Sequence, residues 1–210
     1  MACHTFPASF KELQLGAPKT VYGCGSTRCE GLSTRVETPE CQSHANLITW
    51  EFPARGELPP LQMQWYDGGM RPPRPVELDH RVKMPRTGLL FVGEKGKLMT
   101  GYSGGRFLGS RGLSGGLLLP EEKFRDFQEP AKTLRRVPDH YGEWTAACKT
   151  GARTVCPLDF GCEMTELALL GALALRTGQM LEWDAQAMRV TNDPEANSLI
   201  APPYRAGWSL

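Results

Sequence analysis

The sequence has no excess of charge of either sign. It carries 24 Lys and Arg residues against 23 Asp and Glu residues, which gives a formal net charge of +1. Proteins that bind polyanions need a basic patch or a basic run of residues, and the sequence shows neither. This balance argues against a nucleic-acid-binding protein.

Long hydrophobic runs and targeting signals are also missing. The longest apolar-rich run, Leu167 to Leu175, is interrupted by Gly171 and followed by Arg176, and it is far shorter than the roughly 20 residues that span a bilayer. The N-terminus, Met1-Ala2-Cys3-His4, shows neither a basic patch nor a hydrophobic signal core. We therefore expect no membrane insertion and no export signal, with the cytoplasm as the default location.

The motifs that bind nucleotides are incomplete. A dinucleotide site needs G-x-G-x-x-G at a turn from strand to helix, because only glycine lets the backbone approach the pyrophosphate. Gly23-Cys24-Gly25 begins this pattern, but Arg28 stands where the third glycine is required. The glycine-rich segment around Gly109 and Gly112 has no flanking strand and helix, and there is no G-x-x-x-x-G-K-[ST] motif. The sequence predicts that these residues do not bind a dinucleotide in the usual way.

The seven cysteines are odd in number, and the chain is long for a fold that depends on disulfides, so reduced thiols are expected. Cys148, Cys156 and Cys162 lie near predicted helices and are interpreted as small core residues. A loose set of possible metal ligands consists of Cys24, Cys29, Cys41 and His44. Tetrahedral zinc accepts such a set, but the tight C-x-x-C spacing is missing. Two interpretations of these residues therefore stay open: they stabilise the domain by binding zinc, or they are loop residues that bind no metal.

Several segments have the pattern of β-strands. Asn46–Phe52 and Leu61–Tyr66 alternate apolar and polar residues, which predicts strands with one buried face and is typical of antiparallel sheets. Leu89–Val92 and Lys97–Thr100 flank Glu94-Lys95-Gly96, which indicates a hairpin. Thr20–Cys24, Leu181–Asp184 and Met188–Thr191 are further predicted extended segments, and Gly25–Ser43 is predicted to be a long loop.

Helices are predicted over Thr5–Leu15, His140–Thr150 and Asp159–Thr177. Pro7 suits a first-turn position, and Gly16, Gly151 and Gly178 are placed to end the helices. The order of elements predicts an α+β fold, in which a large, mostly antiparallel sheet carries helices on one face. We expect a single domain over residues 1–210, with a C-terminal tail at residues 193–210 that wraps over it.

A series of different short motifs, spread in order along the whole chain, resembles a known family. They include Met1-Ala2-Cys3-His4, Trp65-Tyr66-Asp67-Gly68-Gly69, His140-Tyr141-Gly142-Glu143-Trp144, Thr165-Glu166-Leu167-Ala168-Leu169-Leu170-Gly171, Leu181-Glu182-Trp183-Asp184 and Tyr204-Arg205-Ala206-Gly207-Trp208. Together they are similar to the C-terminal region of bacterial-type Gfo/Idh/MocA oxidoreductases, the family of glucose–fructose oxidoreductase and inositol dehydrogenase.

That resemblance implies an architecture and a chemistry. Family members join an N-terminal Rossmann domain, which binds NAD or NADP, to a C-terminal α+β domain for the substrate and for subunit contacts. The reaction is hydride transfer between the hydroxyl carbon of a sugar or polyol and the nicotinamide. The resemblance therefore implies a substrate-binding and oligomerisation domain without its Rossmann domain, as a truncated or split product. Such a chain is expected to bind no cofactor alone and to form a homo-oligomer.

The resemblance also implies candidate site residues. His4 matches the His of a D-x-x-x-H motif and is the candidate catalytic residue, since an imidazole suits acceptance of the hydroxyl proton. The matching Asp would precede Met1 and the catalytic Lys belongs to the Rossmann domain, so the chain alone is expected to be inactive. The candidate substrate-binding residues are Trp65, Asp67, His140 and Trp144, which offer aromatic faces and polar groups to a sugar.

Two other interpretations stay open. Both tryptophans are equally well explained as core or sheet-packing residues, and Asp67-Gly68-Gly69 as a structural corner. The whole chain is alternatively a non-catalytic binding or oligomerisation module.

Overall fold

The computed structural model describes residues 1–36, 43–102, 115–137, 139–201 and 203–208. The described helices are α1 (Ala2–Glu12), α2 (His140–Thr150), α3 (Leu158–Thr177) and α4 (Ala196–Ile200). The described strands are β1 (Thr20–Gly25), β2 (Arg28–Glu30), β3 (Thr34–Val36), β4 (Asn46–Phe52), β5 (Leu61–Tyr66), β6 (Gly88–Gly93), β7 (Gly96–Gly101), β8 (Gly116–Leu119), β9 (Leu181–Asp184) and β10 (Arg189–Val190). Strand pairing among these elements is antiparallel throughout, which confirms the predicted α+β class.

The chain divides into two compact units. The first contains Met1–Ala8 and Pro75–Thr165, and the second contains Ser9–Arg74 and Glu166–Leu210. Helices α1 and α3 each contribute residues to both units. The single-domain organisation stays a prediction.

The second unit is built on a five-stranded sheet in the order β10-β9-β1-β4-β5. Val21 of β1 is opposite Trp50 of β4, and the two side chains are 0% and 1% exposed. Residues 166–177 of α3 cover this face: the Trp50 Nε1 donates a hydrogen bond of 3.1 Å to the carbonyl oxygen of Leu167. At Gly171 an added Cβ would lie only 2.7 Å from Cζ2 of Trp50. The alternating pattern of β4 thus buries one face under a helix, as predicted.

The opposite face of this sheet carries polar and aromatic side chains. Tyr22 of β1, Thr49 of β4 and Gln64 of β5 form one row across three neighbouring strands. Tyr22 is 41% exposed, Gln64 is exposed and Thr49 is half-buried. The sheet therefore presents an accessible face away from α3.

The first unit contains a three-stranded sheet in the order β6-β7-β8. The predicted hairpin is confirmed, with Gly93 opposite Gly96 at its turn. Met99 and Leu119 pack with Leu78 and Leu117 in a buried cluster. These side chains give the small sheet a core of its own.

Helix α1 differs from its prediction at both ends. It begins at Ala2 rather than Thr5, because the amide of His4 and the hydroxyl of Thr5 both donate to the carbonyl oxygen of Met1. Pro7 consequently lies inside the helix instead of in its first turn. The helix ends at Glu12, and the backbone then turns through positive φ angles at Gln14 and Gly16. The apolar spacing located the helix, while the local hydrogen bonds fixed its ends.

Two predicted irregular segments contain regular structure. Strands β2 and β3 form a hairpin inside Gly25–Ser43, of which residues 37–42 lie outside the described part. The predicted tail contains α4. There the Asn197 side chain accepts from the amide of Val190 (2.9 Å) and donates to its carbonyl oxygen (3.0 Å), so one side chain mimics a strand partner. Neither contact is visible in the periodicity of the sequence.

The predicted core position of three cysteines is wrong. Cys148, Cys156 and Cys162 are exposed. They lie in or beside residues 121–137 and 139–163, among which no residue is buried. Because the described residues of this segment bury no side chain, a small side chain there does not reach a core.

None of the helices in the described ranges is both long enough and apolar enough to cross a membrane.

Candidate functional site

The structure brings Trp65 and Asp67 together at the end of β5. The carboxylate of Asp67 accepts hydrogen bonds from the indole Nε1 of Trp65 (3.0 Å) and from the backbone amide of Asn46 (2.7 Å). It also accepts from the side-chain amide of Asn46 at 3.0 Å and 3.2 Å. Asn46 is 6% exposed, so these bonds satisfy a buried polar side chain.

A close backbone approach completes this corner. Gly68 has a φ of +63°, and a Cβ there would lie 2.2 Å from the carbonyl oxygen of His44. Only glycine fits such a position. Both oxygens of Asp67 and the indole N–H of Trp65 are thus engaged within the protein, which is the bonding of a structural corner. The Trp65 side chain is half-buried in this corner.

The structure places His140 and Trp144 one turn apart on α2. Asp139 caps this helix, since its carboxylate accepts from the amide of Gly142 at 2.7 Å. Gly151 ends it with a φ of 72°. His140 is exposed and Trp144 is 62% exposed, so both side chains are accessible.

Tyr141 belongs to the same group but was not predicted. Its ring is 76% exposed and meets the ring of His140 edge-on, with centroids 5.3 Å apart. Tyr141 and Trp144 are three residues apart and therefore neighbours on the helix surface. The spacing of these two aromatic residues was the sequence signal that could have identified Tyr141. We call His140, Tyr141 and Trp144 the aromatic group of α2.

His4 is an exposed residue in the first turn of α1. It lies in the first unit, as does the aromatic group of α2, whereas Trp65 and Asp67 lie in the second. The predicted residues therefore form two separate local arrangements and a single histidine.

Gly23 and Gly25 do not lie at the kind of turn that binds a dinucleotide. Gly23 and Gly25 lie inside β1, and the chain continues into the hairpin of β2 and β3 rather than into a helix. The backbone amides of a helix N-terminus, which would hold a pyrophosphate, are not provided there. Gly109 and Gly112 lie outside the described residues.

Metal-ligand side chains do not converge in the described ranges either. Within these ranges, no group of three or more His, Cys, Asp and Glu side chains is placed to hold an ion. Cys24 and Cys29 are exposed, His44 is exposed, and Cys41 lies outside the described part of the chain.

Asp79 and Glu77 each have a pKa that is lowered by a basic side chain in an ion pair. Hydrogen bonds from Arg81 hold the pKa of Asp79 far below its usual range, with a contact of 2.6 Å. Likewise Lys97, at 2.6 Å, lowers the pKa of Glu77. Each pair has an evident structural cause, so neither indicates a catalytic acid or base.

Comparison with protein-family models identifies a family for the C-terminal part of this α+β chain. Residues 121–210 match the model of the oxidoreductase family, C-terminal alpha/beta domain, of the Gfo/Idh/MocA type. This match confirms the family resemblance over that segment, which includes α2, α3, β9, β10 and α4. A search of curated proteins gave no significant match.

Two of the motifs that carry the resemblance contact each other in the fold. The indole Nε1 of Trp183 in β9 donates to the carboxylate of Glu166 in α3 at 2.7 Å. These two motif residues thus have a structural role, since their hydrogen bond joins α3 to β9.

Proposed function

We propose that this chain is the substrate-binding half of an NAD(P)-dependent oxidoreductase that acts on a hydroxyl group of a sugar or polyol. The observation that carries the proposal is the family match of residues 121–210, which contains the aromatic group of α2. The cofactor would be held by a Rossmann domain other than these 210 residues, since Gly23-Cys24-Gly25 is followed by Arg28 where the third glycine of the dinucleotide motif would stand.

The accessible side chains suit such a substrate. The faces of Tyr141 and Trp144 offer surfaces on which the C–H side of a sugar ring stacks, and the imidazole of His140 can bond its hydroxyl groups. His4 would accept the proton of the reacting hydroxyl as a general base, because a neutral imidazole nitrogen is a proton acceptor. In the second unit, the ring of Trp65, which Asp67 orients through the bond to the indole nitrogen, is a candidate for contact with a sugar in its own right.

The experiment combines binding with activity. Purified protein is titrated with myo-inositol and glucose by ligand-observed NMR, and the same protein is assayed with NAD+ or NADP+ for formation of the reduced cofactor. We expect polyol binding that is weakened at least severalfold by Trp144→Ala, and no turnover. Thr145→Ala is the matched control, because its hydroxyl contacts only carbonyl oxygens of α2 itself.

Either of two results would contradict the proposal. One is turnover by the purified chain, which would show that it supplies the cofactor site itself. The other is a complete absence of polyol binding, because the proposed substrate-binding half must bind a substrate of this class.

A binding and oligomerisation module without redox chemistry is the second candidate. The face of Tyr22, Thr49 and Gln64 favours it, because a sheet face with aromatic and polar side chains suits a second protein surface. We propose that a second copy of the chain covers this face in a homo-oligomer. Light scattering at micromolar concentration tests this: Tyr22→Glu should shift the protein toward monomer, and a wild-type protein that is already monomeric would exclude it.

A further inference from the structure

Helix α2 lacks the usual anchor of a surface helix. No residue of α2 is buried, and the same holds for the described residues between 121 and 163. An isolated helix of 11 residues is marginal in water, and most helices are stabilised by packing an apolar face. Another interaction must therefore fix the position of α2.

One carboxylate connects α2 to the chain that follows it. The side chain of Glu143 is only 8% exposed, although it carries a charge. Its Oε1 accepts a hydrogen bond of 2.8 Å from the backbone amide of Val155, which lies beyond the helix end at Gly151. The bond joins residues twelve positions apart.

The same carboxylate connects α2 to the chain that precedes it. The guanidinium of Arg135 lies 3.5 Å from Oε1 of Glu143. A second nitrogen of Arg135 donates to the carbonyl oxygen of Arg153 at 2.8 Å. The segments before and after α2 are therefore joined to each other and to the helix through these two side chains.

This arrangement leaves Tyr141 and Trp144 on a different side of α2 from Glu143. Glu143 and Ala147 are half-buried and one turn apart, whereas Tyr141, Trp144 and Cys148 are exposed. At 100° per residue, Tyr141 and Trp144 lie about 160° and 100° around the helix from Glu143, whereas His140 lies about 60° from it. An anchor through Glu143 thus determines the directions in which all three side chains project.

We propose that Glu143 and Arg135 are positioning residues, which hold α2 in place and thereby orient His140, Tyr141 and Trp144. The orienting role rests on the proposed function of this group as a substrate surface; the anchoring of α2 does not. A charged hydrogen bond contributes more than a neutral one, and its loss leaves a partner group unsatisfied. Loss of the carboxylate should therefore release the helix without unfolding the two sheets.

Hydrogen exchange of the full chain, followed by mass spectrometry, tests the anchor. We expect Glu143→Ala to increase the exchange of α2 amides roughly tenfold or more, with exchange in β1 and β4 unchanged. Glu143→Gln should give a smaller increase, because the amide oxygen still accepts from Val155 while the charge for Arg135 is lost. Thr145→Ala serves as the control and should leave α2 exchange unchanged.

Polyol binding of the same variants gives the second readout. Glu143→Ala should raise the Kd for myo-inositol or glucose severalfold more than Thr145→Ala does, and Glu143→Gln should restore part of the affinity. Unchanged α2 exchange in Glu143→Ala would overturn the proposal, as would an equal loss of protection in α2 and in the sheets. If the wild type binds neither polyol, the proposed function fails, and the exchange experiment still decides whether Glu143 anchors α2.

Discussion

Gly171 provides a sharp test of how α3 packs on the five-stranded sheet. An alanine Cβ at this position would lie 2.7 Å from Cζ2 of Trp50 and 3.2 Å from two methyl carbons of Ile48. The indole cannot move aside easily, because it is 1% exposed and its Nε1 is bonded to the carbonyl oxygen of Leu167. Gly171→Ala should therefore force the helix away from the sheet or break that bond.

The magnitude follows from two opposing effects. Overpacking a well-packed core costs about 1–3 kcal/mol, while replacing Gly by Ala inside a helix contributes about 1 kcal/mol of stabilisation. We expect Gly171→Ala to lower the free energy of unfolding by up to about 2 kcal/mol. Gly161 of the same helix is the matched control, since nothing lies within 4 Å of a Cβ added there.

Urea unfolding of both variants, followed by circular dichroism and tryptophan fluorescence, measures the difference. Gly161→Ala should raise the midpoint, because it gains helix propensity without a clash, and Gly171→Ala should lower it. If Gly171→Ala is as stable as Gly161→Ala, then α3 does not pack against Trp50 as described.

Three further predictions concern the corner, an ion pair and the aromatic group. Asp67→Ala removes the acceptor of the Asn46 backbone amide and leaves its side-chain amide only the 3.4 Å bond to the carbonyl oxygen of Ser43. The free energy of unfolding, measured by urea unfolding, should fall by about 2–4 kcal/mol, and a loss no larger than that of a typical surface substitution would contradict the role of Asp67 in the corner. Because the folded pKa of Glu77 is lowered, its pairing with Lys97 stabilises the protein above the unfolded pKa, and this contribution disappears as the pH falls through the lowered value. The stability difference between wild type and Glu77→Gln, measured by urea unfolding from neutral pH downward, should accordingly shrink in acid, and a difference that grows in acid would contradict this. Tyr141→Ala should leave the urea midpoint nearly unchanged, since the ring is 76% exposed; a large drop would show that it packs against the protein.

The regular parts of the fold were predictable because they depend on local patterns. The alternation in Asn46–Phe52 and Leu61–Tyr66 gave both strands with the observed bounds, and the glycines at 151 and 178 marked the ends of two helices. A strand with one buried face shows a period of two in its apolar residues, whatever element covers that face. These elements and the antiparallel class therefore needed no knowledge of tertiary contacts.

The rest depends on contacts between residues distant in sequence. The Asp67 carboxylate bonds Asn46, which is 21 positions away, and nothing near Asp67 shows that its oxygens are already engaged. The exposure of Cys148 reflects the absence of buried neighbours along the whole segment around α2. Glu143 looks like an ordinary solvent-facing residue of a polar helix until its bond to Val155 is seen.

The central proposal is that this chain binds the substrate of an oxidoreductase and does not bind its nucleotide cofactor. Ligand-observed NMR of the purified chain with a mixture of myo-inositol, glucose and NAD+ tests this in one measurement. We expect saturation transfer from the protein to at least one polyol, reduced in Trp144→Ala, and none to NAD+. Transfer to NAD+ without transfer to either polyol would contradict the account.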